Sequence, residues 1–292
     1  MLHILITGAN GQLGTSIKEH VRVYSQYSFT FVDIQDLDLT NETEVRRYFE
    51  KEIRFDYIIN CAAFTAVDQA EKSPEQAYAV NSGIPLLLGQ ICLERSIFLI
   101  QLSTDYVYNG MSFQPHTEDE TPAAFSLYAQ SKLKGEMHLW NNPQVIIIRT
   151  SWLYSEYGNN FLRTMIRLSK ERKELGVVFD QLGTPTYAGD LAEALLKIIN
   201  HSEEHGFKAG IYNYSSEGVC SWYDFAVEIM QMAGTSCYVK PLRTYEYPLP
   251  ARRPEYSVMD KSKIKMQFGM GITHWTQGLI KAIEILKKNK EI

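Results

Sequence analysis

Tyr128 and Lys132 stand four positions apart in a stretch, 127–139, that reads as a helix. On a helix this spacing puts both side chains on one side. An ammonium below a phenol favours the phenolate, so the pair predicts a tyrosine whose pKa is drawn from about 10 toward working pH. A carbonyl reductase needs such a general acid. In a chain with 18 tyrosines the YxxxK spacing is common by chance, and the bland alternative is a pair on a solvated helix face. Its position gives it weight: the pair follows an apolar run that ends in Ser103-Thr104-Asp105.

A second cluster lies near the N-terminus. Gly8-Ala9-Asn10-Gly11-Gln12-Leu13-Gly14 gives GxxGxxG directly after the apolar run 3–7. Glycines there allow a tight strand-to-helix turn, and a pyrophosphate can then rest on the free amides and positive dipole end of the helix. Asp33 closes the next β-rich run, where a carboxylate accepts hydrogen bonds from an adenosine ribose; its structural alternative is a turn-capping aspartate. Asp36 and Asp38 add negative charge, and no arginine lies between Asp33 and Thr40. Electrostatics alone therefore favours the ribose hydroxyl of NAD over the 2′-phosphate of NADP.

One further spacing is a decoy. His201-Ser202-Glu203-Glu204-His205 matches H-x-x-E-H, a zinc-peptidase pattern, but the stretch is polar and is followed by Gly206. It reads as a solvated helix C-terminus. The other histidines, His3, His20, His116, His138 and His274, lack ligand spacing, and no metal site is expected.

The elements that must position these residues alternate. Strand-like runs occur at 3–7, 28–33, 57–60, 97–102 and 145–148. Helices are expected from Gln12, from the capping signal Thr40-Asn41-Glu42-Thr43 to about Glu52, from Ser73-Pro74 to about Glu94, and over 127–139. Continuous apolar strands between helices imply an α/β fold, a Rossmann-like doubly wound parallel sheet covered on both faces. After Arg149 the alternation loosens into turn-rich segments at 154–160, 183–189 and 245–254, with helices at 191–200 and 221–232. The expected organisation is a dinucleotide-binding domain over 1–150 and a smaller mixed α/β substrate-binding lobe over 151–292, some of whose segments return to the first domain.

Composition narrows the classes. The 292 residues are 45% apolar and 22% charged, enough for a sizeable core, and the net charge of −5 gives no global attraction for nucleic acid or an anionic membrane. Four cysteines without a CxxC pair fit neither a disulfide framework nor a thiolate zinc site, so a cytoplasmic setting is expected. The N-terminus lacks a charged signal-like region, and no apolar run reaches the ~18 residues of a membrane span.

Together these residues resemble the extended short-chain dehydrogenase/reductases and, within them, the dTDP-4-dehydrorhamnose reductase branch. Besides GxxGxxG and YxxxK, the resemblance rests on Asn60-Cys61-Ala62-Ala63-Phe64-Thr65-Ala66-Val67-Asp68, the Ser-Thr-Asp-Tyr-Val-Tyr stretch 103–108, and Arg149-Thr150-Ser151-Trp152-Leu153-Tyr154. It continues through Gly158-Asn159-Asn160-Phe161, Asp180-Gln181-Leu182-Gly183-Thr184-Pro185-Thr186 and Ala251-Arg252-Arg253-Pro254, in order along almost the whole chain.

The resemblance implies reduction of the 4-keto group of dTDP-4-dehydro-L-rhamnose to dTDP-L-rhamnose, the last step in making an activated sugar for polysaccharide. It implies NADPH as cofactor, with NADH also accepted, a small-molecule nucleotide-sugar as partner, and a monomer or homodimer. By the same resemblance Tyr128 is the proton donor, Lys132 orients the nicotinamide ribose, and Thr104 holds the substrate carbonyl. Asp105 and Trp152 line the sugar pocket, and Arg253 meets the diphosphate. Gly8, Asn10, Gly11, Gln12, Leu13 and Gly14 form the pyrophosphate turn. Asp33 takes the adenosine ribose, Asp38 and Leu39 the adenine, and Ala62, Ala63 and Thr65 the wall of the cofactor cleft. Phe64 departs from the polar aromatic common at its position. Thr15-Ser16-Ile17-Lys18 lacks the first-helix glutamate through which some members hold magnesium. Two alternatives share the fold: a nucleotide-sugar dehydratase or epimerase, and a non-catalytic dinucleotide-binding regulatory subunit.

Overall fold

The computed structural model describes residues 1–50 and 54–292. Its centre is a six-stranded sheet in which every neighbouring pair is parallel. Five strands come from the first half: β1 (Leu2–Thr7), β2 (Tyr27–Val32), β3 (Tyr57–Asn60), β4 (Phe98–Thr104) and β5 (Val145–Thr150). The sixth, Gly210–Tyr214, comes from the second half and lies on the outer side of β5, giving the order Gly210–Tyr214, β5, β4, β3, β1, β2. Chain order reverses where β1 sits between β2 and β3. In open α/β sheets that switch point, at the carboxyl ends of the strands, is where ligands bind.

The apolar runs form strands because both sheet faces are buried, and side chains alternate between them. Ile4, Ile6, Ile59, Ile100, Ile146 and Ile148 face a layer made by helix α1 (Gln12–His20) and the helix Ala188–His205. Leu5, Ile58, Leu99 and Ile147 face the opposite layer, where Val45, Phe49, Leu88 and Ile91 close the core. Each such side chain contributes roughly 1.5–3 kcal/mol on burial.

Local signals place the helix starts. Asn41 caps helix α2 (Glu42–Phe49) by accepting from the Glu44 amide, and the expected end near Glu52 lies outside the described residues. The expected helix from Pro74 forms as two α segments, Pro74–Tyr78 and Ile84–Arg95, joined through a π turn at Ala79–Gly83. The decoy His201–His205 is the last turn of Ala188–His205, which stops at Gly206.

The second half is richer than its sequence implies. The stretch 183–189, expected as turns, holds the two-residue strand Thr186–Tyr187 and the start of the long helix, because Ala188 and Gly189 are buried against the core. Helices Phe161–Glu171, Trp222–Ala233 and Trp275–Lys288 surround a second core of Leu162, Ile166, Phe225, Ile229, Leu279 and Ile283. Among the described residues no helix is long and apolar enough to cross a membrane.

Candidate active site

The carboxyl ends of β1, β3, β4 and β5 open into one cleft of about 500 Å³. Its first wall is the glycine turn. Gly8 adopts φ +60°, and a Cβ there would stand 2.6 Å from the Ala62 nitrogen; a Cβ on Gly14 would stand 2.5 Å from the Gly8 carbonyl oxygen. Hydrogen at Gly8 lets the turn pass against the chain leaving β3, and hydrogen at Gly14 lets α1 pack on the turn itself. No side chain caps α1, so the dipole end of the helix meets the cleft, which Gly8, Gly11, Gln12 and Leu13 line.

Asn10, Gly14, Asp33, Asp38, Leu39 and Ala62 are not part of the cavity lining. Asp33 accepts from the Asn10 amide at 2.8 Å and from the Ile34 amide at 2.8 Å, which ties the end of β2 to the glycine turn. Asp38 accepts from the amide and hydroxyl of Thr40, and Leu39 is buried. Ala63 and Thr65 reach the lining. Their loop is clamped by Asn81, which accepts from the Phe64 amide at 2.9 Å and donates to the Phe64 carbonyl at 3.0 Å and to the Ser131 hydroxyl at 3.0 Å. Asn81 lies in the π turn, a distortion frequent at functional sites. Nothing in its local sequence distinguishes it.

The second wall carries Thr104, Asp105, Tyr128 and Lys132, all buried and all lining the cleft. Ser126 caps the helix of Tyr128 and Lys132, Leu127–Met137, by accepting from the Ala129 amide. The electrostatics differ from the expectation. Burial pushes the Tyr128 phenol up to about 12, with the neighbouring Thr104 hydroxyl partly opposing this, so the hydroxyl keeps its proton at working pH. Lys132 does not lower it, because its Nζ is turned to the Leu102 carbonyl at 2.7 Å. Burial pulls Lys132 itself down to about 8, with Glu136 the main opposing charge.

That lysine ends a buried polar chain across the sheet. The Thr7 hydroxyl donates to Asn60 Oδ1 at 2.6 Å, Asn60 Nδ2 donates to Gln101 Oε1 at 2.7 Å, and Gln101 Nε2 joins Lys132 on the Leu102 carbonyl at 2.9 Å. Asp105 is also buried, and burial pushes its carboxyl up to about 7. One oxygen accepts from Thr104 at 3.1 Å, while Oδ2 makes no hydrogen bond of standard geometry, the Ser257 hydroxyl being the neighbouring group that favours the charged form. An unpartnered polar atom in a cavity wall is costly unless a ligand meets it.

The third wall is aromatic. Trp152 follows β5 with φ +45°, a sparsely populated conformation for a bulky residue, and stacks on Trp222 at 3.5 Å between centroids and 7° between planes. Trp222 and the loop Gly158, Asn159 and Asn160 also line the cavity. Trp222 was no sequence candidate, since it lies 70 residues from its stacking partner and follows no strand-end pattern. Arg253 stands apart. Its fork holds Asp68 at 3.1 and 2.6 Å, and it lines smaller hollows outside the main cleft.

The chain that builds this cleft matches known proteins. The family model described as the RmlD substrate binding domain matches residues 2–288. A dTDP-4-dehydrorhamnose reductase of Aggregatibacter actinomycetemcomitans is 38% identical over 287 residues, 96% of this chain and 97% of that protein. The crystal structure of a dTDP-4-dehydrorhamnose reductase from Clostridium acetobutylicum superposes with a TM-score of 0.92 at 40% identity, covering 98% of this chain and 100% of that one. A Bacillus anthracis dTDP-4-dehydrorhamnose reductase in complex with NADP gives 0.91 at 38% identity, covering 97% and 99%. With a family model matching almost end to end and relatives this similar over their full length, the chain belongs to the RmlD substrate binding domain family.

Proposed function

We propose that the protein is an NADPH-dependent oxidoreductase that reduces the 4-keto group of dTDP-4-dehydro-L-rhamnose, giving dTDP-L-rhamnose. The observation that carries this reading is the convergence of a buried, protonated Tyr128, a buried Lys132 and Thr104 on a cleft floored by a glycine turn. The full-length relatives named above support it.

The residues present fit the dinucleotide. Gly8 and Gly14 leave the space a side chain would fill, α1 offers its uncapped end, and Asn10, Gly11, Gln12 and Leu13 surround it. Asp33 is assigned to the adenosine ribose, Asp38 and Leu39 to the adenine, and Ala62, Ala63 and Thr65 to the remaining wall. NADPH, when bound, supplies the hydride; NADH is also accepted in the same site.

Tyr128 donates its proton to the carbonyl oxygen as that oxygen becomes an alcohol. A phenol held near 12 is fully protonated at neutral pH and still acidic enough to give its proton to an alkoxide. Thr104 turns its hydroxyl from Asp105 to the same oxygen and orients it, and Lys132 holds the nicotinamide ribose. Asp105 offers its free oxygen to a sugar hydroxyl, Trp152 covers the sugar's apolar face, and Arg253 meets the diphosphate on exchanging Asp68 for phosphate oxygens. The division near residue 150 is then functional in part, with the cofactor residues before it and the aromatic cover of the sugar after it, while Thr104 and Asp105 meet the sugar from the first half. The reading carries a cytoplasmic setting, which suits four free cysteines, and a monomeric or homodimeric enzyme.

The test is turnover of the purified protein with dTDP-4-dehydro-L-rhamnose. Stoichiometric loss of NADPH with formation of dTDP-L-rhamnose is expected. Interconversion of nucleotide-sugars without net NADPH loss would favour the dehydratase or epimerase alternative, and NADPH binding without turnover the regulatory subunit.

A further inference from the structure

Arg149, on β5, is the largest fully buried side chain among the described residues. It is paired with Glu136, equally buried and one helical turn beyond Lys132. Arg149 Nε donates to the two carboxylate oxygens at 3.1 and 3.2 Å and Nη2 donates to one of them at 2.6 Å. The Ser103 hydroxyl also donates to Glu136. Arg149 Nη1 donates to the Tyr108 hydroxyl at 3.0 Å, which donates to Asn213 Oδ1 at 2.8 Å on the outermost strand.

Stability is a poor reason for so deep an ion pair, since apolar residues of similar volume are often as stable or more so. Placement gives a better one. Ser103 and Arg149 are direct partners across β4 and β5, and both grip Glu136. Leu102, immediately before Ser103, is the residue whose carbonyl receives Lys132. Two helix residues one turn apart therefore dock on two successive residues of β4, and the next residue of that strand is Thr104.

We propose that Glu136 is a positioning residue for the reduction: its carboxylate locks the helix of Tyr128 and Lys132 in register with β4 and β5 and keeps the Lys132 ammonium charged and seated on the Leu102 carbonyl. This deepens the reductase reading above and rests on it. The groups acting on Lys132 are Cys61 from the end of β3 and Glu136 on its own helix. Tyr128 shares that helix, Asp105 after β4 acts on Tyr128, and Arg149 stands behind Glu136. Cys61 is pushed up to about 12 and is uncharged at working pH, which leaves Glu136 as the charge that counters the burial of the lysine.

The experiment compares wild type with Glu136→Gln, Glu136→Asp and the double variant Glu136→Met with Arg149→Met. Two quantities are measured across pH: kcat/KM for the keto-sugar, and NADPH affinity by fluorescence titration without substrate. In Glu136→Gln we expect kcat to fall about tenfold and KM for the sugar to stay within about twofold. The alkaline fall in kcat/KM and in NADPH affinity should move to lower pH by at least ~0.5 unit, because the lysine loses its supporting charge. Glu136→Asp should restore part of both. The double variant, which removes the ion pair without stranding a buried charge, should fold and keep the shifted profile.

A wild-type pH profile in any folded variant lacking the carboxylate would overturn the proposal, as would recovery of wild-type kcat in the double variant. Failure of every variant to fold would assign the pair to folding and overturn it equally. The pH dependence of NADPH binding needs no turnover. A wild type that reduced no keto-sugar would therefore sink the reductase reading while the titration still judged Glu136.

Discussion

The two sides of the cleft are built from different materials. On the side of β1, β3 and β4 the chain buries hydrogen-bonding groups in series, from Thr7 through Asn60, Gln101 and the Leu102 carbonyl to Lys132. On another side, Trp152 and Trp222 make a wall of stacked rings with 3.5 Å between centroids, backed by Phe161, tilted against Trp222 at 4.7 Å, and by Phe225 stacked on Phe161. Hydrogen bonds are short and directional, and a buried group that loses its partner costs ~1–3 kcal/mol, so the polar side has essentially one arrangement. Ring stacking adds only ~0.5–1.5 kcal/mol beyond area burial and tolerates sliding. A proton must be delivered to one atom, whereas a sugar face needs only to be covered. The construction of each wall suits the task proposed for it.

Substitutions on the two walls should therefore fail in different parameters. The largest effect is expected from Tyr128→Phe, which keeps the ring and its edge-on contact with Tyr106 but removes the proton. Its kcat should fall by ~10² to 10⁴ with NADPH affinity and thermal stability near wild type. Retention of more than about a tenth of kcat would move the proton donor elsewhere.

Lys132→Met should come next, lowering kcat by roughly 10² and weakening NADPH as well. Wild type should show the related pH effect. The folded-state pKa of Lys132 is depressed to about 8, so the ammonium is intact below that pH and is lost as pH rises through it. Accordingly kcat/KM should decline above pH 8 in wild type, and a profile flat to pH 10 would show that the charge of Lys132 is dispensable.

The aromatic wall should respond more mildly. Trp152→Ala is expected to raise KM for the nucleotide-sugar by about tenfold with kcat and NADPH affinity within about twofold, because uniform binding appears in KM. An equal fall in kcat would mean that this wall too sets geometry. The smallest change is expected at Asp33. Removing its carboxylate should shift the kcat/KM ratio of NADPH to NADH toward NADPH by about threefold to tenfold, the worth of roughly one hydrogen bond. An unchanged ratio would leave Asp33 as only the turn cap that its bonds to Asn10 and Ile34 already make it.

Much of the polar side was legible in the chain, because its residues sit at the ends of strands that announce themselves. GxxGxxG follows one apolar run, Ser103-Thr104-Asp105 closes another, and YxxxK follows on a helix of its own. The aromatic side was legible only at Trp152, which also follows a strand. Trp222 begins a helix in the second half, and only the packing of that helix on Phe161–Glu171 carries it to the cleft. A guanidinium fork such as that of Arg253 suits phosphate, yet in the fold it faces the carboxylate of Asp68, a residue 185 positions away.

By itself the sequence determined the doubly wound sheet, its first five strands and the group of Thr104, Tyr128 and Lys132. These follow from short-range rules: apolar continuity marks buried strands, glycine marks a tight turn, and a spacing of four marks one side of a helix. The tertiary structure alone decided that Gly210–Tyr214 completes the sheet, that Asn81 clamps the loop at Phe64, and that Tyr128 is held protonated while Lys132 turns to a carbonyl. Each of these depends on which distant groups are buried together. A pKa, a hydrogen-bond partner and a sheet neighbour belong to the surroundings a folded chain creates, and local spacing carries no record of them.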